Sequence, residues 1–264
     1  MSTLSYAAAD SATMLRRNLK HMLRYASMTL MLIGMPVVFL LLFVYVFGGT
    51  LGSGLGGATG GRAAYIQYVT PGILLMAVAS AAQGTAISVA MDMTEGIIAR
   101  FRIMAISRAS VLTGHVLANV VQTMLSLAIV VGVAVAIGFR SSASPVEWLA
   151  AAGVLAMITI AITWLTVALG MVSKTVEAAS NLPMPLVFLP FLGSGFVPTG
   201  SMPTGLRWFA EYQPFTPMIE TVRGLLLGTP IGNSAMIAVA WCVGITLVGY
   251  LWALKLYNRD PAAK

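Results

Sequence analysis

Charge is missing from six long stretches of this 264-residue chain: residues 25–61, 63–91, 109–139, 148–173, 178–206 and 224–254. Each is longer than the ~20 residues that carry a helix across a hydrocarbon core of about 30 Å. Lipid offers no hydrogen-bond partner to a backbone amide, so an uncharged run of that length crosses as a helix. The alternation of a membrane barrel strand is absent. Only 9% of the residues are charged, against roughly 25% in a soluble domain, too few to clothe a water-facing surface. The expectation is an all-α membrane protein with six transmembrane helices, folded as one domain over residues 1–264.

Flanking residues trim the spans to about 25–47, 71–91, 111–139, 148–172, 178–196 and 234–256. The glycine-rich stretch 48–61 closes the first, and Pro71, a good first-turn residue, opens the second. The first run is too long for a signal-peptide core and no small-residue cleavage site closes it, so it reads as an uncleaved span. An even number of spans leaves both termini on one side. Arg16, Arg17, Lys20, Arg24, Arg100, Arg102, Arg108, Lys174, Lys255, Arg259 and Lys264 fall on that side, which is 11 of the 15 basic residues. Arg62, Arg140, Arg207 and Arg223 fall on the other. The excess of lysine and arginine marks the cytoplasm, so both termini are expected there, in a multi-pass protein of the cell membrane. The same bias accounts for the net charge of +7 without nucleic acid, and no basic run is interleaved with aromatics.

Three segments outside the spans carry pattern. Residues 11–25 place Met14, Leu15, Leu19, Met22 and Leu23 on one helical face and Arg16, Arg17, Lys20 and Arg24 mostly elsewhere. That suits an amphipathic helix lying on lipid, or more plainly a basic flank. Residues 92–108 mix charges with Ile97, Ile98, Phe101, Ile103, Met104 and Ile106, which a purely solvated loop does not need. They predict a short helix packed on the membrane surface or on a cytoplasmic partner. Residues 197–233 hold Pro198, Pro203, Pro214, Pro217 and Pro230 with Trp208, Phe209, Tyr212 and Phe215 between them. Prolines at this density punctuate short helices, and the aromatics seat them near an interface.

Most catalytic chemistry is excluded. There is no Gly-Lys dipeptide and hence no Walker motif, no Gly-x-Ser-x-Gly elbow and no His-Glu-x-x-His pair. Two histidines and the lone Cys242 supply no metal cluster. None of the eight carboxylates falls in the middle of a predicted span, where an ion-coupled carrier usually keeps one. His115, Asn119, Gln122 and Ser126 recur at i, i+4, i+7 and i+11 and stack on one face of the third span over about 16 Å. Such a stripe either lines a wet cavity or hydrogen-bonds to neighbouring helices, with Gln83 of the second span a partner in either case. Asn181, Pro183, Pro185, Pro190 and Gly193-Ser194-Gly195 predict a kinked fifth span, either static or of the kind that moves in transporters.

The segment from Gly195-Phe196-Val197-Pro198 through Met202-Pro203, Arg207-Trp208, Glu211-Tyr212-Gln213-Pro214 and Thr216-Pro217, and on through Glu220 and Arg223 to Leu227-Gly228, resembles the signature that precedes the last span in type 2 ABC exporter permeases. Within that class it looks most like the permeases of daunorubicin/doxorubicin-resistance exporters. Glu95-Gly96, Arg102, Ile106-Ser107-Arg108 and Gly72 agree, and the resemblance covers nearly the whole chain. It departs at Ala105, Asn119 and Gln213, where relatives often carry Pro, Asp and Asn.

The resemblance implies a non-catalytic membrane subunit that moves a hydrophobic or amphiphilic substrate out of the cytoplasm. The power comes from a separate ABC ATPase, present in two copies and holding ATP and Mg. A second permease chain, the same or related, completes the path. Residues 92–108 become the coupling helix that docks on the ATPase, with Glu95, Arg100, Phe101, Arg102, Ser107 and Arg108 as contacts. Residues 11–25 become the interfacial helix. The segment 197–233, marked by Pro198, Pro203, Trp208, Glu211, Pro214, Pro217 and Arg223, becomes re-entrant helices capping the exit. Spans one and five form the seam between permeases, and His115, Asn119, Gln122, Ser126, Gln83, Asn181 and Phe188 are the candidates for the substrate path. A gradient-driven secondary transporter or channel is the competing reading.

Overall fold

The fold is that of a computed structural model describing residues 26–56, 60–96 and 108–258, and their side chains other than 26–32, 56 and 108–111. The expected interfacial segment 11–25, and Arg100, Phe101, Arg102 and Ser107, lie outside the described residues. So does the side chain of Arg108.

The described chain is helical. Helix α1 (Ala26–Leu42) passes through a π-helical stretch, Phe43–Phe47, directly into α2 (Gly48–Gly56). Then come α3 (Arg62–Thr94), α4 (Arg108–Ala136) and α5 (Pro145–Val172). Two short helices follow, α6 (Val176–Asn181) and α7 (Met184–Phe188). A 3₁₀ turn at Thr199–Ser201 leads to α8 (Thr204–Tyr212), α9 (Phe215–Leu227) and α10 (Ser234–Tyr257).

Five helical stretches among the described residues are long and apolar enough to cross a membrane: Ile33–Leu55, Arg62–Thr94, Leu112–Ala136, Pro145–Val172 and Ser234–Tyr257. The expected fifth span, 178–196, is not one helix. Pro183, Pro185 and Pro190 each remove a backbone donor and crowd the preceding turn, so the segment is cut into α6, α7 and a run of turns reaching Phe196.

Two boundaries differ from expectation. The second span opens at Arg62 and carries Pro71 in its interior. At 1.5 Å per residue its 33 residues extend about 50 Å, well beyond the apolar core. Nor does the glycine-rich stretch after the first span end the helix, which continues to Gly56. There Gly52 faces the backbone of Gly61, where any Cβ would collide, so the glycine lets α2 and the start of α3 close into a tight pair.

Helix α3 is the central post. It packs against α1, α2, α4, α5, α6, α7 and α9, while α10 lies along α5 and α9. Its residues Tyr65, Val69, Ile73, Leu74 and Val78 are fully buried with Leu40, Val44, Ile158, Phe215, Met218 and Ile219. A smaller apolar cluster at the other end joins Val89, Leu112, Val116, Val167, Ala168, Ala253 and Tyr257. Close approach comes from small residues, as helix association in lipid requires. Gly170 of α5 meets the backbone of Ala86, and Gly249 of α10 meets that of Trp164 and Leu165. Helix α5 starts on a capping box in which Ser144 and Glu147 satisfy each other's backbone amides.

The bundle thus has two distinct ends. One carries the proline-rich hairpin of α8 and α9 with the start of α3. The other carries the end of α3, the start of α4 and the turn from α5 to α6.

Candidate functional site

At the proline-rich end the broken segment is knitted to the hairpin. The prolines fall where a helix tolerates them: Pro203 and Pro214 stand at the caps of α8 and α9, and Pro217 lies in the first turn of α9, where the missing amide would have had no partner. Buried Gln213 ties the corner between them. Its amide nitrogen donates to the Leu189 carbonyl (3.3 Å) and to the Thr216 hydroxyl (3.2 Å), and its oxygen accepts from the Phe215 amide (3.1 Å). The Thr216 hydroxyl donates to the Ala210 carbonyl and accepts from the Ser194 amide (3.3 Å). Gly193 is forced by this network, because a Cβ there would strike Gln213 and Thr216. Gly195 and Gly72 press backbone to backbone.

Arg223 of α9 closes the same junction. Its guanidinium donates to the Ser194 carbonyl (2.5 Å) and the Tyr68 carbonyl (3.2 Å) and stacks over the Tyr68 ring at 4.0 Å. The Tyr68 carbonyl lies beside the Gln67 carbonyl that Pro71 leaves without its amide partner, so the interior proline opens the ladder where the arginine enters. Burial pulls the guanidinium below its ordinary value, while Tyr68 and Glu220 oppose that loss; an arginine starts so high that it stays charged. Arg223→Leu strips charged donors from two carbonyls, at about 1.5–3 kcal/mol per hydrogen bond of this kind. The detergent-solubilised protein should melt several degrees lower. Arg223→Lys should recover only part of the loss, because an ammonium cannot stack and fork at once.

Rings fill the space between α1 and the break. Phe191 and Phe196 stack at 4.3 Å, and Phe43, the first residue of the π-helical stretch, meets Phe196 at 4.6 Å and Phe191 at 6.2 Å. Single-turn π segments inside membrane helices are often found at functional sites. On the other flank of the break Asn181, Leu182, Met184, Phe188 and Leu192 are exposed, as are Met35, Val38, Leu42, Tyr45 and Val46 of the first helix. Asn181 and Phe188, two candidates for the path, therefore face out of this single chain.

The polar stripe of the third span turns inward. His115, Asn119 and Ser126 are buried and Gln122 half-buried. Asn119 donates to the Thr163 hydroxyl of α5 (2.7 Å), and Thr159, Thr163 and Thr166 return their hydroxyls to carbonyls of α5 itself. His115 Nε2 lies 3.1 Å from Asp92 Oδ2, and both groups are buried. Gln83 does not join the stripe. It faces α6 and donates to the Ser180 carbonyl, because α6, not α4, covers that side of α3.

The loop end is defined by Glu95 and Gly96. Glu95 is the exposed C-cap of α3, with its amide bonded to Met91 (2.9 Å). Gly96 turns the chain out of the helix at φ +70°, in the left-handed region that glycine enters without strain. At the proline-rich end Trp208 and Tyr212 stand exposed on α8, and Arg207 pairs with Glu211 at 2.7 Å on the same helix.

Among the described residues no cluster of histidine, cysteine or carboxylates could hold a metal. The arrangement is one of joints, caps and seams. A family model described as ABC-2 type transporter matches residues 11–227. The chain belongs to the ABC-2 type transporter family. It is 28% identical over 229 residues to a daunorubicin resistance ABC transporter permease of Streptomyces coeruleorubidus, covering 86% of this chain and 78% of that relative. It is 25% identical over 236 residues to a probable doxorubicin resistance ABC transporter permease of Mycobacterium tuberculosis, covering 89% and 84%. The ABC-2 match takes in the loop end, the broken segment and the whole hairpin, and stops at the last residue of α9.

Some of this ABC-2 site was beyond sequence reading. Asp92 was read as a loop flank, yet it is buried in the last turn of α3. Thr159, Thr163 and Thr166 had a usable signal, their i, i+4, i+7 spacing. Ser194 and Thr216 had none.

Proposed function

We propose that this chain is the membrane-spanning subunit of an ABC exporter that moves a hydrophobic or amphiphilic substrate, a drug, a lipid or a lipid-linked glycan precursor, out of the cytoplasm. The observation that carries the reading is the family match across residues 11–227, joined to similarity with two drug-resistance permeases along most of their length. The chain has no nucleotide-binding motif, so the energy comes from a separate ATPase that holds ATP and Mg. Two such ATPases serve two permease chains, this one and an identical or related partner.

In this reading the loop end is cytoplasmic, as the basic bias of the sequence favours, and both termini share that side. The part of residues 92–108 that lies beyond the end of α3 docks on the ATPase, with Glu95 and Gly96 setting its exit from the helix. Arg16, Arg17, Lys20 and Arg24 hold the amino-terminal segment on the membrane surface beside it. The broken segment through α6 and α7 completes a sixth crossing. The hairpin of α8 and α9, with Pro198, Pro203, Trp208, Glu211, Pro214, Pro217 and Arg223, caps the exit. The exposed apolar faces of α1 and of the break meet the second permease, and the aromatic joint around Phe43 gives that seam a place to flex. Apolar packing between helices is bistable rather than continuously deformable, so a push at one end resolves into two arrangements.

The buried Asp92–His115 pair is what a proton-coupled carrier would offer instead. Its place in the last turn of α3 puts it at the edge of the bundle, however, away from the middle depth where such carriers bind their ions. Affinity purification of the tagged chain from its native membrane separates the two. The exporter reading predicts a stoichiometric partner bearing a Walker motif, whereas a self-sufficient carrier would come without one.

A further inference from the structure

Along the outward face of the first span Met35, Val38, Leu42 and Tyr45 follow one another at steps of three and four residues, and each is 40% exposed or more. Those steps keep them in one stripe along the helix. At 1.5 Å per residue the stripe is about 15 Å long, half of an apolar core of about 30 Å and hence the depth of one leaflet. At its Tyr45 end the stripe meets a charge. Arg62, the first residue of α3, lays its guanidinium over the Tyr45 ring at 4.8 Å. Buried Gly48 makes room for it: a Cβ there would already sit 3.4 Å from Arg62 Cγ, and a longer side chain would push the arginine off the ring. Arg62 is itself exposed, and no carboxylate pairs with it among the described residues. The sequence has none between Asp10 and Asp92. The other arginines of that side are engaged: Arg207 with Glu211, Arg223 with the Ser194 and Tyr68 carbonyls, and Arg140 with the carbonyls of Val135 and Phe139. A guanidinium that rests flat on a ring keeps its fork of N–H donors for an anion.

We propose that the substrate is an anionic amphiphile: Arg62 takes its phosphate or carboxylate head while an acyl chain lies along Met35, Val38 and Leu42. This rests on the exporter reading given above, in which the α1 face borders the seam and Arg62 stands at its outer mouth. Within that reading it narrows the substrate to one sign of charge. A cation without a counter-ion at the mouth draws an acidic head toward it and turns a basic one away.

The test uses phosphatidylcholine proteoliposomes holding the full chain with its ATPase. The probes are phosphatidylglycerol, phosphatidylcholine and a cationic lipid, all carrying the same fluorescent NBD label on the same acyl chain. The reading is the label protected from dithionite after ATP is added, taken alongside ATP hydrolysis and the melting temperature. ATP should protect the anionic probe about five-fold faster than the zwitterionic one, the effect of one interfacial arginine, and the cationic probe slowest of all. Arg62→Gln should bring the three rates within about two-fold of one another, with the melting temperature unchanged because the side chain is exposed. Arg62→Lys keeps the charge and should keep most of the preference. Leu42→Asn wets the stripe and should slow all three probes alike, leaving their order as it was.

A preference that survives Arg62→Gln overturns the proposal. So does a parent complex that moves the cationic probe as fast as the anionic one. If Arg62→Gln slows all three probes in step with a lower melting temperature, the arginine is structural only, and that too overturns it. If ATP moves fluorescent amphiphilic drugs but none of the lipids, the exporter reading stands and this inference falls. If ATP moves no probe of either kind, the exporter reading itself fails and takes this inference with it.

Discussion

Gly72→Leu is expected to abolish transport and to remove most of the folded protein from the membrane. Gly72 lies one residue after Pro71, on the face of α3 that presses against the backbone of Gly195. A Cβ there coincides with main-chain atoms, which cannot rotate away as a side chain would. Ordinary overpacking costs roughly 1–3 kcal/mol, and a backbone collision in the fully packed core belongs at or above the top of that range. The damage also spreads. Gly195 is held by the turn that places Ser194 under Arg223 and Thr216, so moving it breaks the guanidinium contact and the Gln213 network together. Size-exclusion profiles of a fluorescent fusion would report the folded fraction, expected to fall about ten-fold, as a loss of roughly 1.4 kcal/mol or more implies for a marginal fold. Gly72→Ala should lie between parent and leucine variant. Parent-like behaviour of both would mean that the break is not clamped to α3 in this way.

Reversing charge at the loop gives the second large effect. Arg100→Glu/Arg102→Glu changes the local charge by four units on a segment proposed to sit against an ATPase. Opposed like charges at an interface cost several kcal/mol and slow encounter as well. Capture of the ATPase by the tagged chain should fall at least about ten-fold at physiological salt. ATP-driven transport should vanish, while the fold, carried by the packed helices, should be unchanged. Unaltered capture would place the contact elsewhere.

Five of the six expected spans were legible because charge is expensive in lipid, so that its gaps mark where a helix can cross; the gap at 178–206 holds a broken segment instead of one long helix. Boundaries were less legible where glycine and proline had to be interpreted. Pro71 was read as a first-turn residue, but α3 begins at Arg62 and carries the proline inside. The helix runs on through it, and Arg223 packs beside that point, donating to the neighbouring Tyr68 carbonyl. The glycine-rich stretch 48–61 was read as closing the first span, yet its first part, Gly48–Gly56, stays helical where it packs on α3. The fifth segment was read as kinked and is fully broken, with three prolines in eight residues.

The candidate site was legible in parts that depend on local spacing. The stripe from His115 to Ser126 follows from helical geometry, and its inward direction follows from α5 carrying threonines at matching height. Gln83 was assigned to that stripe and faces α6 instead, because sequence does not say which neighbour covers which side of a helix. Asp92 and His115 are 23 residues apart, and Ser194 and Thr216 are 22 apart. Such pairs exist only once the helices are assembled. The resemblance to ABC exporter permeases marked the hairpin motif as important. The structure supplies a physical reason for several of its residues: Pro203 and Pro214 as caps, Gln213 and Thr216 as a corner, and Arg223 as a clamp on the broken segment.

The central claim is that this chain moves its substrate only when an ATPase drives it. Proteoliposomes containing the purified chain, with and without its co-expressed ATPase, test this most directly, with a panel of fluorescent amphiphilic drugs and lipids as the probes and either ATP or an imposed proton or sodium gradient as the energy source. The account predicts probe movement with the ATPase and ATP together, and none from the chain alone under any gradient. Gradient-driven movement by the chain alone would contradict it.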